Sequence, residues 1–140
     1  MRYWDSSALV ALHVRQTSTS AVRRLYAQDG EVITWILSDV EIRSALHRLA
    51  REHAMTGPQA ASAIAAVDSF WETVHLVSLV IPVKTRAKRL LAVHPIRAAD
   101  ALQLGAALTA SYDDTVARDF VCLDERLAEA AAREGFRIVP

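Results

Sequence analysis

The chain has 140 residues, 52% of them hydrophobic and 23% charged, which excludes a disordered or fibrous protein and predicts one domain, residues 1–140, with a buried core. Its 16 basic and 16 acidic side chains cancel, so net charge gives no sign of a nucleic-acid partner, and the single cysteine, Cys122, excludes an intrachain disulfide. Because no apolar stretch approaches the ~20 residues of a membrane-spanning helix and no export signal opens the chain, a cytoplasmic protein is expected.

Short strands alternate with helices along the whole chain. The residue patterns predict strands over 1–4, 31–35, 75–80, 120–123 and 137–139, and helices over 5–12, 17–28, 38–54, 58–71, 82–93, 96–110 and 125–133. Strands that are separated by helices favour parallel pairing with helices on both faces. The predicted fold is therefore α/β, with three layers around a mostly parallel central sheet of about four to five short strands.

Four acidic residues stand in apolar surroundings, where an unpaired carboxylate costs desolvation energy: Asp5, Glu41, Asp100 and Asp124. Asp5 and Asp124 each follow a predicted strand, where they could cap the next helix. The segment 38–41 fits a capping box, in which Glu41 would reach back to the start of its own helix. Asp100 has no such explanation from the sequence, because it is the only charge in residues 98–112. An ion pair with Arg97 is its structural alternative.

The predicted fold offers a common destination for these acids. In an open parallel sheet, ligands bind outside the carboxyl ends of the strands, and all four acids can reach that edge. Carboxylates brought close together repel one another and raise one another's pKa values, unless a cation lies between them. Oxygen ligands of this kind suit Mg²⁺ or Mn²⁺. The four acids therefore predict a divalent metal site.

Four segments in chain order carry a resemblance to a known family: 5–9 (DSSAL), 38–46 (SDVEIRSAL), 96–104 (IRAADALQL) and 123–127 (LDERL). Together they resemble PIN-domain ribonucleases, and within these the VapC toxins of bacterial and archaeal toxin–antitoxin pairs. The resemblance spans nearly the whole chain and implies a PIN-like fold. It also implies a Mg²⁺- or Mn²⁺-dependent endoribonuclease that cuts structured RNA such as tRNA or rRNA, is blocked by a cognate antitoxin and forms a homodimer.

The resemblance also implies roles for particular residues. Asp5, Glu41 and Asp100 match the family's three core acids, and Asp124 matches its fourth acidic position. Ser6 or Ser7 matches a small hydroxyl residue that orders the site. Asp119, five residues before Asp124, is an alternative fourth acid. The site could hold one metal ion or two. Where relatives often carry Thr or Ser, this chain has Cys122.

Basic residues near these motifs are candidates for supporting roles. Arg43 and Arg97 could orient a carboxylate or a phosphate, or could form structural ion pairs. The helix predicted over 82–93, called the basic helix, contributes further candidates for contacts with RNA: Lys84, Arg86, Lys88 and Arg89.

Two other readings of the chain remain. The first is a PIN-like module that binds proteins or RNA without cutting RNA. The second is a receiver-type phosphoryl-transfer domain, which needs an acidic pair after the first strand and a lysine at a strand end. The only lysines, Lys84 and Lys88, lie in a predicted helix, which disfavours this class.

Overall fold

The structure is a computed structural model that describes residues 1–113, 115 and 118–140. The described residues form five strands: β1 (Arg2–Trp4), β2 (Val32–Trp35), β3 (His75–Val77), β4 (Asp119–Val121) and β5 (Arg137–Val139). They also form seven helices: α1 (Ser6–His13), α2 (Thr19–Gln28), α3 (Ser38–Arg51), α4 (Gly57–Trp71), α5 (Val80–Val93), α6 (Ala98–Ala110) and α7 (Glu125–Arg133). Within the described part of the chain, no helix has the length and apolar character needed to cross a membrane.

The five strands form one sheet in the order β3-β2-β1-β4-β5, and every neighbouring pair is parallel. The predicted α/β fold is therefore confirmed, with a sheet that is wholly parallel. After β3 the chain crosses to the other side of β1 to form β4, so the strand order reverses beside β1. A crevice at the carboxyl ends of the strands, at such a reversal, is where open α/β sheets bind ligands.

Two hydrophobic cores lie on opposite faces of the sheet, because successive side chains of a strand point to opposite sides. Tyr3 packs with residues of α5, α6 and α7, and the adjacent Trp4 packs with residues of α1 to α4. In β4, Phe120 lies in the same core as Tyr3, and Val121 lies in the same core as Trp4. Helices therefore cover both faces, as predicted, and the sheet edges remain available for a site.

Several predicted boundaries differ from the observed ones. The strand predicted over 75–80 ends at Val77, because its partner β2 ends at the paired residue Trp35. Helix α5 consequently begins at Val80 rather than at Pro82, which lies in its first turn, where a missing N–H is tolerated. Helix α3 ends at Arg51 rather than near residue 54, and His53 adopts a positive φ of 58°.

Candidate active site

Asp5 is the most deeply buried acid of the candidate site, with 3% of its surface exposed. It follows β1 and caps α1 by accepting the Ser7 backbone N–H at 3.2 Å, and it also accepts hydrogen bonds from the Ser7 hydroxyl and the Cys122 thiol. Burial raises the pKa of Asp5 above the ordinary carboxyl value, although these hydrogen bonds oppose the shift. An ionised Asp5 would therefore gain stability from a cation.

Glu41 does not form the predicted capping box, so that hypothesis is wrong. Helix α3 has Leu37 as its N-cap and no side-chain cap. The Glu41 carboxylate instead accepts hydrogen bonds from the Ser6 hydroxyl at 2.7 Å and from Gln103 Nε2 at 3.0 Å. Burial raises its pKa, and the nearby negative charges of Asp5 and Asp100 raise it further. Glu41 therefore faces the other acids rather than its own helix end.

Ser6 links the two acids that carry raised pKa values. Its Oγ lies 3.2 Å from Asp5 Oδ1 and 2.7 Å from Glu41 Oε2. A hydroxyl has one proton, so Ser6 can donate to only one of these carboxylates at a time. Ser7 has a different task, because its Oγ accepts the backbone N–H of Leu123 at 3.0 Å and so ties α1 to the segment before Asp124.

Asp100 does have a capping role, contrary to the expectation from the sequence. It lies in the first turn of α6, and its carboxylate accepts the backbone N–H of Arg97 at 3.0 Å. The predicted ion pair with the Arg97 guanidinium does not form among the described residues. Asp100 is half-buried, and its charge reaches Glu41, which places it on the same side of the sheet edge.

Asp124 lies across an open cleft from Glu41. It caps α7 by accepting the backbone N–H of Leu127 at 2.9 Å, and it is exposed. The cleft has a volume of about 650 Å³, and Ser6, Ser7, Glu41 and Asp124 contribute to its lining. The carboxyl edge of the sheet therefore presents two of the four acids directly to a cleft, with Asp5 buried behind Ser6.

Asp119 belongs to the opposite edge of the sheet. It is the first residue of β4, and its carboxylate accepts from Arg2 Nε at 2.9 Å and from Arg137 Nε at 2.5 Å. These arginines lower its pKa, and each is the first residue of its own strand. Asp119 thus forms a structural ion-pair cluster at the amino edge, and Asp124 is the acid that shares the cleft with Glu41.

The donor chemistry of the site fits a hard divalent cation. Carboxylate and hydroxyl oxygens are the ligands that Mg²⁺ and Mn²⁺ prefer, and the raised pKa values of Asp5 and Glu41 indicate anions in need of positive charge. Within the described residues, however, no three His, Cys, Asp or Glu side chains converge as ligands of one ion. Each acid is held by hydrogen bonds of its own, so the ligand set stays a prediction.

Gln103 is a residue of this site that the sequence reasoning missed. It is 1% exposed, accepts from the Tyr3 hydroxyl at 2.7 Å, and donates to Ser38 Oγ at 2.8 Å as well as to Glu41. The available indication was a polar residue in the apolar helix that carries Asp100, about one turn later on the same face. Gln103 joins β1, α3 and α6 and fixes the orientation of Glu41.

Replacing Gln103 with leucine is expected to lower the free energy of unfolding by about 1–3 kcal/mol, because the buried Tyr3 hydroxyl loses its acceptor. Denaturant unfolding measures this change. In a Tyr3→Phe background the same substitution should cost less, since that hydroxyl is already gone. Equal costs in the two backgrounds would show that the Tyr3 to Gln103 bond contributes nothing.

The other basic candidates are mostly engaged elsewhere. Arg43 pairs with Asp68, Arg86 with Asp113, and Arg89 with Glu134. These ion pairs neutralise three of the arginines that the sequence offered for phosphate contacts. Lys84 and Lys88 form no ion pair within the described residues, and the use of the four basic-helix residues for RNA contacts stays a prediction.

The fold agrees with comparisons to known proteins. The PIN domain family matches residues 2–133, and the chain therefore belongs to the PIN-domain family. Two curated proteins of Mycobacterium tuberculosis, Ribonuclease VapC45 of strain CDC 1551 / Oshkosh and Ribonuclease VapC49 of strain H37Rv, are each 31% identical over 99% of this chain and 94% of their own length. Within the PIN domains, the chain is a member of the VapC ribonuclease family.

Solved structures support the fold. VapC20 of M. tuberculosis, described as a sarcin–ricin loop cleaving toxin, superposes with a TM-score of 0.67 at 19% identity over the full length of both chains. FitAcB of Neisseria gonorrhoeae gives the same TM-score at 13% identity, covering 100% of this chain and 97% of the other. At these identities the likeness concerns the architecture.

Proposed function

We propose that residues 1–140 form a single PIN domain that acts as a Mg²⁺- or Mn²⁺-dependent endoribonuclease, a VapC-type toxin that hydrolyses phosphodiester bonds in structured RNA such as tRNA or rRNA. The observation that carries the proposal is the pair Asp5 and Glu41. Both have raised pKa values, and Ser6 bridges them beside an open cleft at the carboxyl edge of the sheet. The membership of the chain in the VapC family supports the choice of RNA as substrate.

The metal would be held by Asp5, Glu41, Asp100 and Asp124. When bound, such an ion stabilises charge on a phosphate oxygen and lowers the pKa of a coordinated water. The chain's own residues prepare this site. The Ser6 hydroxyl lies within hydrogen-bond distance of Asp5 Oδ1 and Glu41 Oε2, and so holds the two carboxylates near each other. Gln103 donates a hydrogen bond to Oε1, the second oxygen of Glu41.

Ser7 and the helix starts place the remaining acids. Ser7 links Asp5 to the Leu123 backbone, so the position of Asp124 depends on the start of α1. The bond between Asp100 and the Arg97 backbone sets where α6 begins, which makes Arg97 a supporting residue through its main chain. No histidine, lysine or serine nucleophile is required for this chemistry.

We further propose two protein partners, a cognate antitoxin that blocks the cleft and a second copy of the chain. Exposed apolar residues support the homodimer. Leu37 and Val40 follow β2, and Leu79, Val80 and Ile81 follow the neighbouring β3, with exposures of 48% to 69%. Such a cluster at one sheet edge is typical of an interaction surface. Sedimentation of the purified chain should give a dimer, and a monomer at all concentrations would contradict this.

The ends of the RNA products test the proposed reaction. Hydrolysis by an activated water, as the family resemblance implies, should leave 5′-phosphate and 3′-hydroxyl ends on tRNA or rRNA treated with the purified protein and Mn²⁺. End-specific ligation before sequencing distinguishes these from other ends. Cyclic 2′,3′-phosphate products would contradict the proposal, because they arise when the RNA's own 2′-hydroxyl attacks.

A further inference from the structure

The acidic cleft continues into a groove on one side. Gln16 lines both the cleft and a neighbouring depression of about 310 Å³ at the start of α2. Arg15 in turn lines that depression and a third one of about 380 Å³ between α1 and α4. The shared residues make one continuous surface that leads away from the acids.

Three arginines line this surface: Arg48 in the cleft, and Arg15 and Arg23 in the depression. Arg48 lies seven residues after Glu41, two turns along the same face of α3. All three are exposed, and none forms an ion pair within the described residues. Beyond Glu41 and Asp124, the lining of these depressions contains no described carboxylate. We call the surface of these arginines the basic groove.

The other side of the cleft has the opposite charge. Leu123 and Asp124 also line a depression of about 580 Å³ whose remaining lining is Glu125, Arg126 and Glu129. Phosphate groups are repelled by this acidic surface and attracted to the basic groove. A strand that crosses the cleft should therefore extend over one side only.

The basic groove offers little for stacking bases, because the one imidazole in its described lining, His13, is half-buried and packs edge-on against Phe70. Its lining around Arg15, Arg23 and Arg48 contains no Phe, Tyr or Trp among the described residues. Aromatic side chains supply the stacking that holds bases in many single-strand binding proteins. Charge without stacking suits the phosphate backbone, and contacts to phosphates carry no sequence information.

We propose that Arg15, Arg23 and Arg48 form a one-sided track for the phosphate backbone of the RNA that flanks the cut site. This inference rests on the proposed ribonuclease function and adds the path of the substrate. The arginines bind and position RNA, whereas the acids across the cleft carry the chemistry.

The test compares two triple variants that change net charge equally. The groove variant carries Arg15→Gln, Arg23→Gln and Arg48→Gln. The control carries Arg24→Gln, Arg51→Gln and Arg118→Gln, which replace exposed arginines in α2, at the end of α3 and just before β4, none of which lines the cleft or the depressions beside it. Binding of a short fluorescein-labelled single-stranded RNA is followed by anisotropy in EDTA over a range of salt concentrations. Thermal unfolding checks that all proteins are folded.

The groove variant is expected to bind RNA on the order of tenfold more weakly, and its slope of log affinity against log salt should fall by about 2, because three phosphate contacts are lost. RNAs of different sequence should lose the same factor. The control should stay close to the wild type. Equal weakening in both triple variants, or no weakening in the groove variant, would overturn the track.

Cleavage by the wild type with Mn²⁺ separates this inference from the function on which it rests. If the wild type cuts RNA but the two triple variants bind RNA equally well, the proposed phosphate track is wrong and the proposed ribonuclease function stands. A wild type that neither binds nor cuts RNA would remove both. If the track is right, the groove variant should cut with a raised KM and an unchanged kcat at saturating RNA.

Discussion

Replacing Asp5 with asparagine is expected to reduce RNA cleavage by about a thousandfold or more, a loss typical of an essential group in an active site. Asparagine is also a good N-cap, so α1 should still begin at Ser6. The substitution removes the buried negative charge and little else. A cleavage assay with saturating Mn²⁺ measures the loss, and Asp39→Asn is the matched control.

Asp39 suits this purpose because it lies two residues from Glu41, and its carboxylate accepts only the neighbouring Val40 N–H, at 2.8 Å, among the described residues. Cleavage by Asp39→Asn should stay within a few-fold of the wild type. Equal activity in wild type and Asp5→Asn would remove Asp5 from the site.

The same Asp5→Asn variant should be at least as stable as the wild type at neutral pH in EDTA. The pKa of Asp5 is raised in the folded state, so the unfolded chain ionises first as pH rises. The free energy of unfolding of the wild type therefore decreases as pH rises from the ordinary carboxyl pKa to the raised one. Above that pH window the loss of stability stays constant. Asparagine carries no such cost.

Thermal unfolding in EDTA at neutral pH and at a pH below the ordinary carboxyl value measures the effect. The advantage of asparagine should shrink at the acidic pH, where Asp5 is protonated in both states. A variant that is clearly less stable at neutral pH would contradict the destabilising effect of the raised pKa of Asp5.

Replacing Gly105 with valine is expected to lower the free energy of unfolding by about 3 kcal/mol, at the upper end of overpacking effects. Gly105 lies where α6 crosses α5. A Cβ at this position would be 2.9 Å from the carbonyl oxygen of Val83 and 3.3 Å from the backbone nitrogen of Ala87. Both are main-chain atoms, so the two helices must separate to make room.

Gly57→Ala is the control for Gly105→Val, because a Cβ at Gly57 meets nothing within 4 Å. That change should be neutral or stabilising by up to about 1 kcal/mol, through lower entropy of the unfolded chain. Urea unfolding compares the variants. A Gly105→Val protein as stable as the wild type would show that α5 and α6 do not depend on close contact. Since α6 carries Asp100 and Gln103, cleavage should fall as well.

Local sequence patterns were sufficient to predict the α/β class and the strands and helices of the chain, but not the order of the strands in the sheet. Helix α7 and strand β5 were predicted at their observed bounds, because Asp124, Gly135 and the apolar spacing are all local. The end of β3 was not predictable in this way. It depends on where the paired strand β2 stops, and pairing is a property of the sheet.

The candidate site shows the same division. Sequence reasoning placed the acids at one sheet edge, but it offered helix capping as the structural alternative for Glu41 and not for Asp100, and the structure shows the reverse. Glu41 had the pattern of a helix cap and instead contacts Ser6 and Gln103, which are distant in sequence. Asp100 lacked a capping pattern and caps its helix through the Arg97 backbone. The partner of a carboxylate depends on which donors lie near it in the folded chain. A local sequence motif does not contain that information.

The central claim is that these acids cut RNA with the help of a divalent cation. The most direct measurement is cleavage of labelled tRNA and rRNA by the EDTA-treated wild type, before and after addition of Mn²⁺, beside Asp100→Asn under the same conditions. Cleavage should be absent in EDTA, restored in the wild type by Mn²⁺, and at least a hundredfold lower in the variant, about the loss expected for one essential group. Full activity in EDTA, or equal activity in the variant, would contradict the metal-dependent nuclease.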